Sequence, residues 1–209
     1  LKLKLKHFGR VRVLIWTNSL LVILLVVSLI WSLALNWQYH QITVLEKDKY
    51  YNTLAGAIVE YYAGQKQSVS FVDIKTTLKL LDALVPTYFQ NHEFKPEDFI
   101  ALAVIESSFD KYSIGKRGER GMFQILNWKQ ALLDIDDPLA NPFDIKINIR
   151  MSCQVLKQKY IERKTYKDSI IAYNGYVLDS QGQVIEKYWK SFLQAQKLIK
   201  ELKERAKEL

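Results

Sequence analysis

The chain has 209 residues, 49% of them hydrophobic, with 30 Lys and Arg against 22 Asp and Glu and a formal net charge of +8. That is enough apolar material for one globular domain of ordinary size and an additional segment. Its single cysteine, Cys153, excludes an internal disulfide and a cysteine-based metal site.

The additional segment comes first. From Val13 to Leu45 there is no Asp, Glu, Lys or Arg, and the run VLIWTNSLLVILLVVSLIWSLAL holds 23 mostly apolar residues. As a helix it would measure about 34 Å against a hydrocarbon layer of roughly 30 Å, which predicts a transmembrane helix over 13–38. A buried core helix is the alternative, although core helices rarely stay apolar on every face for so long. Lys2, Lys4, Lys6, Arg10 and Arg12 precede the run with no acid among them. The positive-inside rule therefore predicts a cytoplasmic segment at 1–12 and everything after the span on the far side. Trp31, Trp37 and Tyr39 would mark the far interface, while Ser32-Leu33-Ala34 offers a cleavage site should the run be a signal peptide. Removing the five basic residues from +8 leaves +3 for the rest, so the charge has a topological use and implies no nucleic acid. The first Met is at 122, and the natural chain is expected to begin before Leu1.

After the span, Val44, Tyr51, Leu54, Ala55, Ile58 and Tyr62 recur at a helical period to about Ala63, and GQKQSVS at 64–70 breaks it. A second helix is expected from Ser70 as N-cap, with Asp73 at the third position and a bend near Pro86. These elements, residues 39–91, read as a helical stalk or as an extension packed on the domain. A third helix begins at Pro96, with Glu97 and Asp98 at the positive end of its dipole. Phe99, Leu102, Ala103 and Glu106 share one stripe of it, and Ile100, Val104 and Ile105 make the other faces apolar. Such a helix is buried, so Glu106 at its C-terminal end is partly desolvated and near the negative end of the dipole. Both effects favour the protonated carboxyl, the form a general acid needs. An ion pair with Lys111, Lys116 or Arg117 is the competing use of Glu106. At the C-terminus, Phe192, Ala195, Ile199, Leu202, Ala206 and Leu209 repeat at 3,4 spacing. That pattern fits a short coiled coil or a helix lying on its own domain.

Four segments stand in a fixed order: ESSF at 106–109, GERGMFQI at 118–125, NI at 148–149 and AYNG at 172–175. Together they resemble the lytic transglycosylases whose catalytic domain is of the soluble, goose-lysozyme-like type. The match runs without a gap from Glu106 to Gln124 and the resemblance covers residues 92–192. Departures are Lys111, Gly115 and Glu119, where the family often has proline, serine and alanine, and Tyr176 after Gly175.

The resemblance implies an all-α architecture, a lysozyme-like transglycosylase domain over 92–192 preceded by the transmembrane helix and helical stalk, with a helical tail at 193–209. It implies cleavage of the β-1,4 bond between N-acetylmuramic acid and N-acetylglucosamine in peptidoglycan, with a 1,6-anhydro product and no cofactor or metal. Glu106 would serve as acid and then base. Ser107, Ser108, Gly121, Gln124 and Asn174 would contact sugar, Met122, Phe123 and Tyr173 would line the groove, and Tyr188 would approach Glu106. Asp110 reads as surface charge. Location at the bacterial cytoplasmic membrane, with the domain on the periplasmic side, follows from the span. An envelope or secretion-complex partner could use the C-terminal helix. A lysozyme-type hydrolase and an inactive wall-binding scaffold are the rival functions.

Overall fold

A computed structural model describes residues 2–90, 93–133, 135, 140–175 and 186–208, with side chains in the first helix described at 22 and from 24 onward. Seven helices occur among these residues and no strand. They are α1 (Lys2–Gly64), α2 (Phe71–Tyr88), α3 (Pro96–Ser107), α4 (Trp128–Leu133), α5 (Ile145–Arg163), α6 (Tyr166–Tyr173) and α7 (Lys187–Glu208). The all-α expectation holds. Residues 1–49 and 50–209 form separate compact units.

In the first unit the backbone is one unbroken helix, and large apolar side chains from Val22 to Leu45 are exposed. No helix among the described residues is long and apolar enough to cross a membrane. Within the segment 13–38 in which a span is expected, the side chains of 13–21 and 23 lie outside the described ones, as do those of the basic segment 1–12.

The second unit is held by local signals that the sequence carries. Ser70 Oγ accepts the backbone N–H of Asp73 at 3.2 Å and starts α2. Pro96 opens α3, and Asp98 Oδ2 accepts the N–H of Lys95 at 2.8 Å. Asp144 and Thr165 cap α5 and α6 in the same manner as Ser70. α3 lies between α2 and α7, while α5 packs on α2, α4 and α6. Phe94, Phe89, Phe99 and Phe123 form, in that order, a chain of rings at 5.0, 5.9 and 6.3 Å through the core.

Two alternatives that the sequence leaves open at the flanks are separated here. Leu54, Ala55, Ile58 and Tyr62 are buried in the common core, and Tyr62 meets Phe109 edge to face at 6.3 Å. Residues 50–90 therefore fit the packed extension, within the compact unit that begins at Tyr50 and includes 92–192. The C-terminal stripe also has its partner within the domain, because Phe192, Ala195, Ile199, Leu202 and Ala206 are all buried and α7 packs along α3. That stripe fits a helix lying on its own domain, and the expected boundary at 192 falls inside α7.

Asp98 joins three helices. Its Oδ1 accepts Tyr166 Oη of α6 at 2.8 Å and Gln196 Nε2 of α7 at 2.7 Å, while Oδ2 holds the start of α3. Asp98→Ala leaves the Tyr166 phenol and the Lys95 N–H without their acceptor and the Gln196 amide with only Tyr166 Oη, at 3.0 Å, at a cost of about 3 kcal/mol. The expected result is a thermal midpoint lower by roughly 6–12 °C, read by circular dichroism. Gln196→Ala, which removes one donor, should cost about a third as much.

Candidate active site

The end of α3 sets the site. Ser108 and Phe109 both take left-handed backbone conformations, with φ of 54° and 65°, and the N–H of Phe109 closes on Ala103 O at 3.2 Å. Phe109 is buried against Tyr62, which offsets the strain of a left-handed aromatic residue. The chain thus leaves the helix directly after the turn that carries Glu106.

A loop over 113–125 returns to meet that turn. Arg120 bridges to both Ile114 and Ile125, folding the loop on itself. Ser107 Oγ donates to Met122 O at 2.7 Å. From α5, buried Asn148 accepts the N–H of Phe123 at 2.8 Å and donates to Arg120 O at 3.1 Å and Pro142 O at 2.9 Å. Gly121 has φ of +78°, and a Cβ there would come within 2.4 Å of Asn148 Nδ2 and 2.5 Å of Pro142 O. Only glycine lets Asn148 reach the loop.

Above the loop lies a cleft of about 280 Å³, lined by Glu106, Arg117, Glu119, Gln124, Tyr173 and Asn174 among others. Tyr188 Oη, from the first turn of α7, donates to Glu106 Oε1. Burial pushes the Glu106 carboxyl up to about 7, opposed by the Tyr188 hydrogen bond, with nearby Glu119 raising it further and Arg117 lowering it. Burial, followed by the Glu106 charge, holds the phenols of Tyr188 and Tyr173 well above their ordinary range. Both remain donors. Tyr173 Oη gives its proton to Phe123 O at 2.9 Å, so the 2.9 Å contact with Ser152 Oγ is a bond donated by the serine. A carboxyl so placed can give a proton at neutral pH and hold its conjugate base against one phenol. Among the described residues no cluster of three His, Cys, Asp or Glu offers a metal cage.

The expected site residues divide. Glu106, Gln124, Tyr173 and Asn174 line the cleft, and Tyr188 supports it from behind. Gln124 spends its amide N–H groups on Ser113 O at 3.1 Å and Gly121 O at 2.8 Å. That leaves its carbonyl oxygen as the polar atom available at the cleft. Met122 and Phe123 do not line the groove as expected. Both are fully buried, Met122 with its sulfur 3.4 Å from Thr77 Oγ1, whose proton goes to Asp73 O, and Phe123 against Phe99. Ser107 is committed to Met122 O rather than to Glu106 or sugar, Ser108 bonds the Tyr62 hydroxyl, and Gly121 approaches Asn148 instead of the cleft. Asp110 is exposed and accepts the N–H of Tyr112.

Among the described residues Glu106 makes no ion pair: Lys111 binds Asp73 at 2.9 Å and Arg117 binds Glu119 at 2.7 Å. Glu119 stands in the sequence only as a departure from the family pattern. The signal was the alternation of sign in KRGER at 116–120. The loop before Tyr188, residues 176–185, lies outside the described residues.

A family model described as "Transglycosylase SLT domain" matches residues 85–193, more than half of the chain. Comparison with curated proteins and with solved structures gave no match. The matched span contains α3, the loop over 113–125, α5, α6 and the first turn of α7, and so every side chain described above as lining the cleft. The chain belongs to the transglycosylase SLT domain family, whose members are lytic transglycosylases acting on peptidoglycan.

Proposed function

We propose that the chain cleaves the β-1,4 bond between N-acetylmuramic acid and N-acetylglucosamine with Glu106 as its one acid–base group, leaving a 1,6-anhydro end. The observation that carries this reading is the state of Glu106. It is a carboxyl in a cleft, raised to about 7 by burial, with its neighbouring cations paired elsewhere and one oxygen held by Tyr188. Tyr188 occupies Oε1, so the acidic proton belongs on Oε2. That proton passes to the glycosidic oxygen as the bond from C1 breaks. The substrate's own N-acetyl oxygen closes on C1, and the C6 hydroxyl then displaces it, returning its proton to Oε2. No water is consumed. Tyr188 stabilises the carboxylate present between the two transfers, and the Gln124 oxygen and Asn174 side chain suit the N–H and hydroxyl groups of a sugar.

A hydrolase on the same scaffold needs a carboxylate free to activate water. Glu119 is the second carboxylate of the cleft, but both its oxygens are bonded to Arg117. A binding scaffold needs no desolvated acid at all, and such an acid lowers stability.

The same reading places the enzyme at the bacterial cytoplasmic membrane, N-terminus inside and domain on the periplasmic side. Support comes from the five basic residues before an uncharged run and from the apolar side chains exposed along α1 from Val22 to Leu45. A helix apolar on all faces has no stable place in water.

Mass spectrometry of fragments released from purified sacculi should find anhydro ends; reducing ends would assign hydrolysis. A reporter fused after Leu209 should be active only when exported, and activity confined to the cytoplasm would reverse the topology. Glu106→Gln should lower turnover about 100- to 10,000-fold. Glu106 binds its proton more tightly folded, at about 7, than at its ordinary 4.5. Its contribution to stability is therefore full below pH 4.5 and lost as pH rises through about 7. The uncharged variant should melt close to the wild type at pH 4.5 and several degrees above it at pH 8. A variant less stable at pH 8 would identify Glu106 as a structural ion-pair partner.

A further inference from the structure

Arg117 lies beside Glu106 in the cleft, yet it is tied to another acid at two points. Its Nε donates to Glu119 Oε1 at 2.7 Å, and its backbone N–H donates to Oε2 at 2.9 Å. The arginine side chain is 58% exposed and that of Glu119 only 10%. Glu119 is seated on the backbone at Gly115, where a Cβ would come within 2.3 Å of its Oε2 and 2.7 Å of Gln124 Oε1. A buried carboxylate thus holds a more exposed guanidinium in a charge-neutral clamp on the rim of the catalytic cleft. An arginine left unpaired within reach of a carboxylate lowers its pKa by about 1–3 units. For Glu106 that would remove the proton at neutral pH.

We propose that Glu119 is a positioning residue for Glu106, holding Arg117 in the clamp so that the guanidinium does not pair with the acid. The inference rests on Glu106 being the acid. The two charges act on Glu106 in opposite senses, Glu119 favouring the protonated form and Arg117 the ionised one. The other groups that face it are accounted for. Tyr188 of α7 and Tyr173 of α6 are phenols kept neutral by burial. Lys159 of α5 has its own acid in Glu162 at 3.1 Å, and Lys116 is exposed, where solvent screens it. Arg117 is therefore the cation whose placement decides the charge on Glu106, and Glu119 decides its placement.

The test is the pH dependence of kcat/KM on purified sacculi for the full chain, its Glu119→Gln, Arg117→Gln and double variants, and Glu106→Gln as control. Glu119→Gln should move the alkaline limb about one unit toward acid, a loss of about tenfold at pH 8 with little change at pH 5.5. Arg117→Gln should move it the other way, and the double variant should return it toward the wild type. Carbon-13 NMR titration of the Glu106 carboxyl, identified by its absence from Glu106→Gln, should show the same shifts without substrate. A limb that stays in place in Glu119→Gln, with activity kept or uniformly reduced, overturns the proposal. Should that variant not fold, Arg117→Gln decides alone, and an unmoved limb there has the same meaning. Glu106→Gln retaining turnover would instead overturn the reading of Glu106 itself.

Discussion

The carboxamide of Asn148 holds three backbone groups from two separate segments, and the cleft depends on that grip. A buried amide must be satisfied, and this one is: its oxygen takes the N–H of Phe123 and its nitrogen gives to Arg120 O and Pro142 O. The loop over 113–125 folds on itself through its own backbone bonds, Gly121 N–H to Ser113 O at 3.0 Å and Gly115 N–H to Glu119 O at 3.0 Å among them, but these do not tie it to the helices. Asn148 fixes its middle, Ser107 fixes it to α3, and Tyr173 fixes Phe123 O to α6. With its backbone satisfied, the loop can send Met122 and Phe123 into the core and present Gln124 to the cleft. Gly121 is the geometric condition for all of this, because any Cβ would displace the amide.

Rigidity of that floor is what allows a carboxyl to stay desolvated. Glu106 is removed from water by elements that each have independent anchors, so the fold can hold the acid in a state that opposes stability near neutral pH. The electrostatic setting then turns on a few pairings. Had Lys111 or Arg117 found Glu106, the same burial would have produced an ordinary ionised salt bridge. Instead Lys111 pairs with Asp73 of α2 and Arg117 with Glu119 of the loop.

Much of this was legible in the sequence, for reasons that can be named. The starts of α2 and α3 were visible because Ser70 and Pro96 act locally, within one turn of their own positions. Glu106 stood out because a charge on a helix apolar on every face has few uses. Met122 and Phe123 were misread because a motif gives order along the chain and not the side of the backbone on which a residue falls; that side is set by Asn148, some 25 residues away. Residues 50–90 and α7 gave amphipathic patterns that fit a stalk or a tail equally well. Periodicity shows that a helix has an apolar face but does not name the face it meets.

The last point bears on how the site is held. Tyr188, which orients Glu106, sits in the first turn of α7, close to the end of the span matched by the family model at 193. A hydroxyl in one turn of a helix is only as well placed as the helix behind it. Beyond 193, Ala195, Ile199, Leu202 and Ala206 bury the rest of α7, Gln196 bonds Asp98, and Lys203 pairs with Glu97. Both polar contacts end on the first turn of α3, while Tyr188 ends on its last. α7 therefore runs alongside α3 and is fastened to it at both ends, so that the helix carrying the acid and the helix carrying its donor move as one body. The C-terminal residues belong to the catalytic geometry through this pairing, although none of them reaches the cleft.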